Sequence, residues 1–174
     1  VAFFGSGVRV LDDDGNDMPP GEVGLVYKRG LIQGGGYTDN PAATAAMLRD
    51  GWATVGDLGY LDEEGYLYLV DRKSDMIVSG GVNIYPAELE AEIAGVDSVA
   101  EVAVVGLPDP TWGEVVVAFV VPRPGAVVDP DAVVAACTAR LAQYKRPRRV
   151  EIVDELPKSV AGKVLKRELR AQYG

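Results

Sequence analysis

Asp71-Arg72-Lys73-Ser74-Asp75-Met76-Ile77-Val78-Ser79-Gly80-Gly81-Val82-Asn83-Ile84-Tyr85-Pro86 is the stretch on which the reading of this chain turns. A charged cluster runs into a short apolar strand, Met76 to Val78, and then into a Gly-Gly pair. Pro86 suits the first turn of a helix, because its missing N–H would find no partner there. Charge, strand, glycines and helix start within so short a span mark a boundary between two folded pieces, and one that can move.

Upstream of it the pattern is β-rich. Val8-Arg9-Val10-Leu11 alternates like a strand and ends in the turn residues Asp12-Asp13-Asp14-Gly15-Asn16. Pro19-Pro20-Gly21 breaks the chain again, and Val23 to Tyr27 resumes a strand. Gly34-Gly35-Gly36 leads through Asn40-Pro41, a cap and first-turn pair, into a short helix over Ala42–Leu48. Residues Trp52–Leu61 and Tyr66–Val70 flank Asp62-Glu63-Glu64-Gly65, which reads as a hairpin with Gly65 free to take a positive φ. Gly5 and Gly7 invite a dinucleotide reading, but no third glycine and no strand–helix unit follow. Residues 1–72 therefore read as the tail of a larger domain cut upstream.

Downstream the pattern mixes strands and helices. Leu89 and Ile93 share one helix face, with Glu88, Glu90 and Glu92 at outer positions. Val99–Val105 and Glu114–Val121 are apolar strands separated by Leu107–Gly113. Asp129-Pro130 caps a second helix that buries Val133, Val134, Cys137 and Leu141. Val150–Val153 is a third strand and Val164–Gln172 a final basic helix. Residues 73–174 read as a compact α+β domain, a small mixed sheet with flanking helices.

Composition narrows the function classes. The 174 residues are long enough to bury a core, and the longest apolar run, Val115–Val121, is far too short for a membrane span. Cys137 is alone, which rules out an intrachain disulfide, fits a reducing, cytoplasmic setting and reads as a packed thiol. A net charge of −9 argues against nucleic-acid binding. Ten of the 17 Lys and Arg nevertheless fall within residues 140–170. That basic end reads either as a site for a small phosphorylated ligand or as a solvated helix. With no histidine there is neither a zinc-type cluster nor a Ser-His-Asp set.

Together with Pro157-Lys158-Ser159-Val160-Ala161-Gly162-Lys163, the opening stretch resembles two signature motifs of the adenylate-forming (ANL) superfamily: acyl-CoA synthetases, peptide-synthetase adenylation domains and luciferases. The form Gly80-Gly81-Val82-Asn83-Ile84-Tyr85-Pro86-Ala87-Glu88 is more like the acyl- and aryl-CoA synthetases, including the fatty-acid–CoA ligases. The resemblance implies the end of a large AMP-binding domain over 1–72 and the complete small C-terminal domain over 73–174. It implies ligase chemistry in two steps: an acid and ATP, with Mg²⁺, give acyl-adenylate and pyrophosphate, and CoA then displaces AMP. It also implies that the small domain turns about Ser74 between the steps, where the family has Asp or Lys, and that these residues alone are inactive without the family's N-terminal domain.

Residue by residue, the resemblance gives expectations that elementary chemistry allows. A carboxylate such as Asp57 can accept two ribose hydroxyls, although a Gly-Asp at a strand turn is by itself an ordinary structural feature. The family's Thr-Gly-Asp motif assigns Asp57 to the ribose of ATP, with Val55 here in the threonine position. Arg72 falls on the ribose and phosphate side, where a planar guanidinium can bond bidentately; by itself it would be a surface ion pair with Asp71 or Asp75. The side-chain-free Gly80 and Gly81 would line the pantetheine tunnel, or simply form a tight turn before a helix. Trp112, Tyr144, Arg146 and Arg148 match in kind the residues that touch the CoA nucleotide in halobenzoate–CoA ligases, with Arg148 in a lysine's place; otherwise Tyr144–Arg149 is a solvated loop.

Lys163 carries the catalytic expectation. On a loop opened by Pro157 it can swing in and offset the negative charge that builds as a carboxylate attacks the α-phosphate. It lies in no P-loop, and taken blind it is a surface lysine. Two alternatives stay open: an adenylation domain that loads a carrier protein, and a non-catalytic module that binds CoA or a partner. The resemblance leaves room for a homodimer.

Overall fold

A computed structural model describes residues 7–30 and 47–174. It divides the chain into two compact units, Val1–Ser74 and Asp75–Gly174. The helix expected over Ala42–Leu48 and the Gly34–Gly36 turn lie outside the described residues, apart from the end of that helix, where Leu48 belongs to a strand.

The first unit carries a six-stranded antiparallel sheet. β1 (Gly7–Leu11) pairs along one edge of β2 (Gly24–Arg29), from Gly7↔Arg29 to Leu11↔Leu25. The other edge of β2 meets β4 (Trp52–Ala53) and β5 (Asp57–Leu61), and β4 carries β3 (Leu48–Arg49) outward. β6 (Leu67–Arg72) closes the sheet against β5. The expected hairpin is present, with Gly65 N–H bonded to Asp62 C=O at 3.0 Å, but its first arm is broken at Thr54–Gly56. Thr54 is the cause: its buried hydroxyl accepts the Gly56 N–H at 3.1 Å and turns the chain between β4 and β5. Among the described residues only Val10, Leu11, Tyr27 and Leu58 are buried apolar side chains here.

The second unit is the α+β body. Its central strand, β10 (Gly113–Pro122), pairs antiparallel with β9 (Val99–Asp109) over almost its whole length. Its other edge takes β11 (Arg149–Ile152) in parallel and touches β7 (Ile77–Ser79), which pairs with β8 (Val82–Ile84). The apolar runs in β9 and β10 are continuous because both faces of this sheet are covered. Val104, Val116, Ala118 and Val120 point to one side, where α1 (Pro86–Ile93) brings Leu89 and Ile93, and α2 (Pro130–Arg140) brings Val133 and Cys137. Ala103, Val105, Leu107, Val117 and Phe119 point to the other, against Leu156, after β11, and against Leu169 of α3 (Lys166–Tyr173). Phe119 meets the Tyr173 ring edge-on at 4.7 Å.

Several expectations are corrected in detail. The Gly80-Gly81 pair does not lead straight into a helix; it is the two-residue turn of the β7–β8 hairpin, with φ of +59° and +79°. Val134 of α2 and Leu141 just after it are only half-buried: Val133 and Cys137 are the helix's fully buried residues, and Leu141 packs at the edge of the same cluster. The Asp129 cap stands, its carboxylate accepting the Asp131 N–H at 3.0 Å. The final helix begins two residues later than Val164. The supposedly outer glutamates of α1 face other elements: Glu90 accepts the Val104 N–H of the edge strand β9 at 2.8 Å and pairs with Lys166 at 2.7 Å.

Candidate functional site

Asp57 and Arg72 start β5 and end β6, where the ladder sets them opposite each other. The Arg72 Nε stands 3.3 Å from the Asp57 carboxylate. The pair borders an open cleft of about 210 Å³ with Leu69, Val70 and Asp71. Asp57 also edges a more apolar hollow of about 160 Å³, where Val55 forms part of the wall with Val8, Val26 and Leu67. A carboxylate and an arginine at an open cleft can hold a diol and an anion side by side.

In the second unit the β7–β8 turn lies against the β9–β10 turn. Gly80 N–H donates to the Trp112 carbonyl at 2.8 Å. A Cβ on Gly80 would fall 2.9 Å from the Trp112 ring, so only glycine lets the two turns approach this closely. Arg148 lays its guanidinium over the same ring at 4.2 Å. Gly80, Trp112 and Arg148 thus form one cluster. Tyr144 and Arg146 are exposed on and just after the 3-10 turn Gln143–Lys145, with no described contact to the tryptophan.

Two supports of this cluster escaped the sequence reading. Asp109 Oδ1 accepts the N–H groups of Thr111 and Trp112 at 2.8 and 2.9 Å and so shapes the turn that presents the indole. The Asp109-Pro110 pair was the signal for that. The second support, Lys145, pairs with Glu88 of α1 and ties the arginine-bearing segment down; nothing in their spacing announces a contact between residues so far apart.

Lys163 sits where a closed loop returns to the body. Ser159 N–H bonds Lys163 C=O at 2.8 Å, Lys163 N–H bonds the Ser159 hydroxyl at 3.2 Å, and Leu165 N–H bonds Pro157 C=O at 2.8 Å. These bonds close the loop on itself, and the Lys163 side chain is exposed. Lys158 pins the loop to Glu101, near the start of β9. The Trp112 cluster lies beyond the other end of β9, at Asp109. Asp109 lies eight strand steps beyond Glu101, roughly 25 Å at the usual rise.

The basic end resolves into two classes of cation. Arg140, Lys145, Arg149, Lys158, Lys166 and Arg170 pair with Glu92, Glu88, Glu151, Glu101, Glu90 and Asp75. Arg146, Arg148, Lys163 and Arg167 have no carboxylate partner among the described residues. Ser74, the expected hinge, is the last residue of the first unit and makes no described hydrogen bond. Among the described residues no group of three or more His, Cys, Asp or Glu could hold a metal ion, and no helix is long and apolar enough to cross a membrane.

Residues 88–163 match the AMP-binding enzyme C-terminal domain. A feruloyl-CoA synthase from Amycolatopsis sp is 47% identical over 174 residues, all of this chain and 35% of that protein. The indoleacetate–CoA ligase of Aromatoleum aromaticum is 47% identical over 163 residues, 94% of this chain and 32% of the ligase. Among solved structures, ATP-bound MatB from Rhodopseudomonas palustris superposes with a TM-score of 0.90 at 38% identity, over 99% of this chain and 35% of that one. The chain thus spans about a third of the length of the proteins it matches.

Proposed function

Residues 88–163 belong to the AMP-binding enzyme C-terminal domain family, and from that premise we propose that this chain is the C-terminal portion of an ATP-dependent acid–CoA ligase. In the first step a carboxylate oxygen attacks the α-phosphorus of MgATP and pyrophosphate leaves. In the second, the CoA sulfur attacks the acyl carbon and AMP leaves. Mg²⁺ arrives as part of the nucleotide. Asp57 accepts the ribose hydroxyls and Arg72 faces the phosphate side. Lys163 places its ammonium between the two anionic reactants, where it offsets their repulsion and holds them in line.

The Gly80-Gly81 turn admits the pantetheine arm beside Trp112, while Tyr144, Arg146 and Arg148 grip the CoA nucleotide. The first unit, through Lys73, ends the large AMP-binding domain, and Asp75–Gly174 forms the small domain joined to it at Ser74. Because Lys163 and the Trp112 cluster lie near opposite ends of β9, the same acyl group meets them in turn. Turning of the small domain about Ser74 between the half-reactions follows.

What carries this reading is the sorting of charge. Six of the ten cations in residues 140–170 are neutralised within the fold, and of the four left over, Arg146, Arg148 and Lys163 are residues assigned to anionic substrates. A merely solvated basic helix would not sort them so. The test is acid-dependent ATP–pyrophosphate exchange by the full-length protein carrying this chain, across short- and long-chain aliphatic and aryl acids. Exchange with one acid class supports the ligase and identifies its substrate; a folded protein that exchanges with none refutes it.

A further inference from the structure

The residues on either side of Ser74 are tied down by contacts that have no part in the chemistry above. Lys73 extends the β6 ladder, its N–H bonding the Gly56 carbonyl at 2.8 Å. Its ammonium pairs with Asp13, a partner 60 positions away in the same unit. On the far side, Arg170 of α3 reaches back 95 positions to Asp75, with one terminal nitrogen 3.4 Å from the carboxylate and the other 3.4 Å from the backbone carbonyl. Both side chains of this second pair are about three-quarters buried. Two positions later Ile77 is fully buried in the core and starts β7. Ser74, exposed and without a described hydrogen bond, is the residue these ties leave out.

We infer that the junction is stapled on both sides, by Lys73–Asp13 to the first unit and by Asp75–Arg170 to the second, so that rotation is confined to the dihedrals of Ser74. Arg170 and Asp13 are then positioning residues. This rests on the ligase reading for its functional consequence, though not for its structural one. The logic is entropic: an unstapled junction spreads a rotation over several soft dihedrals and reaches many orientations, of which few are productive, whereas a one-residue pivot reaches few. Bidentate engagement of both the carboxylate and the carbonyl of Asp75 is what a backbone clamp needs, and a guanidinium supplies it where an ammonium gives one contact at a time.

The sequence supplies a direct probe, because trypsin cleaves after Arg72 and Lys73. In the full-length protein, Arg170→Ala and Asp13→Ala should each raise the rate of cleavage at this junction about fivefold or more. Arg170→Lys should fall between Arg170→Ala and wild type, and the urea midpoint should stay near wild type. Unchanged cleavage in either variant overturns the double staple, as does accelerated cleavage throughout α3, which would mark general unfolding. The second readout separates the half-reactions. Arg170→Ala should slow transfer from preformed acyl-adenylate to CoA several-fold more than it slows adenylation, and equal effects on the two overturn the positioning role. If the wild-type protein performs neither half-reaction, the ligase reading fails while the protease result still decides the staple.

Discussion

Replacing Gly80 with alanine probes the contact between the two turns of the second unit. At φ +59° an alanine is strained by about 1 kcal/mol, partly offset by about 0.5 kcal/mol from stiffening the unfolded chain. Gly81, at +79°, carries the same strain, but nothing lies within 4 Å of a Cβ there. At Gly80 the new methyl would sit 2.9 and 3.1 Å from two carbons of the Trp112 ring. The turn that carries the indole is held in place. The Trp112 main chain is anchored, its N–H donating to Asp109 at 2.9 Å and its carbonyl accepting from Gly80 at 2.8 Å, and Arg148 lies over the ring at 4.2 Å.

Forced overpacking of this kind costs about 1–3 kcal/mol. Gly80→Ala should therefore destabilise by about 2 kcal/mol more than Gly81→Ala, a further fall in Tm of about 10 °C for a unit of this size. Thermal unfolding of the two variants, each with and without Trp112→Ala, is the assay. The excess should vanish when the indole is gone. Equal Tm values for the two glycine variants in the wild-type background would refute the packing argument.

Other consequences follow from the same contacts. Burial pushes the Cys137 thiol up to about 11 from an ordinary 9.0. Its contribution to stability is full below pH 9 and lost as pH rises through about 11, to the extent of about 3 kcal/mol. Urea unfolding of wild type and Cys137→Ala between pH 8 and 11 should show a steeper fall in the wild type than in the variant, which keeps the raised Tyr68 and Tyr85. Asp129→Ala should cost about 1 kcal/mol through the lost cap of α2, and Asp129→Asn much less, as read from urea midpoints. Glu90→Ala strips both the Val104 N–H and Lys166 of their partner and should cost about 1–3 kcal/mol, with faster amide exchange at Val104 as the specific sign.

How much the sequence revealed depended on how far each signal reached. The runs in β9 and β10 were legible because burial on both faces keeps Val102–Val105 and Val115–Val121 free of polar residues. The α2 start was legible because Asp129-Pro130 acts within one turn. β8 was missed: Val82 and Asn83 are exposed, and three residues give no alternation to read. The break before Asp57 was missed because it depends on a single hydroxyl, that of Thr54, meeting a backbone N–H two residues on. At the candidate site, Gly80, Trp112 and Arg148 could each be picked out singly, but their convergence could not, since it requires β7 to lie beside the β9–β10 turn. The acidic partners that neutralise most of the basic end are equally remote in sequence, and only the fold separates structural cations from free ones.

The central claim is that one small domain carries two working ends. It is tested most directly by measuring the half-reactions separately in two variants of the full-length protein. Lys163→Ala should lose adenylation by about a hundredfold or more, while still converting preformed acyl-adenylate and CoA to thioester. Trp112→Ala should keep adenylation and raise the CoA requirement of the second step. If both variants damage the same half-reaction, or each damages both equally, the two ends do not have separate tasks and the account is wrong.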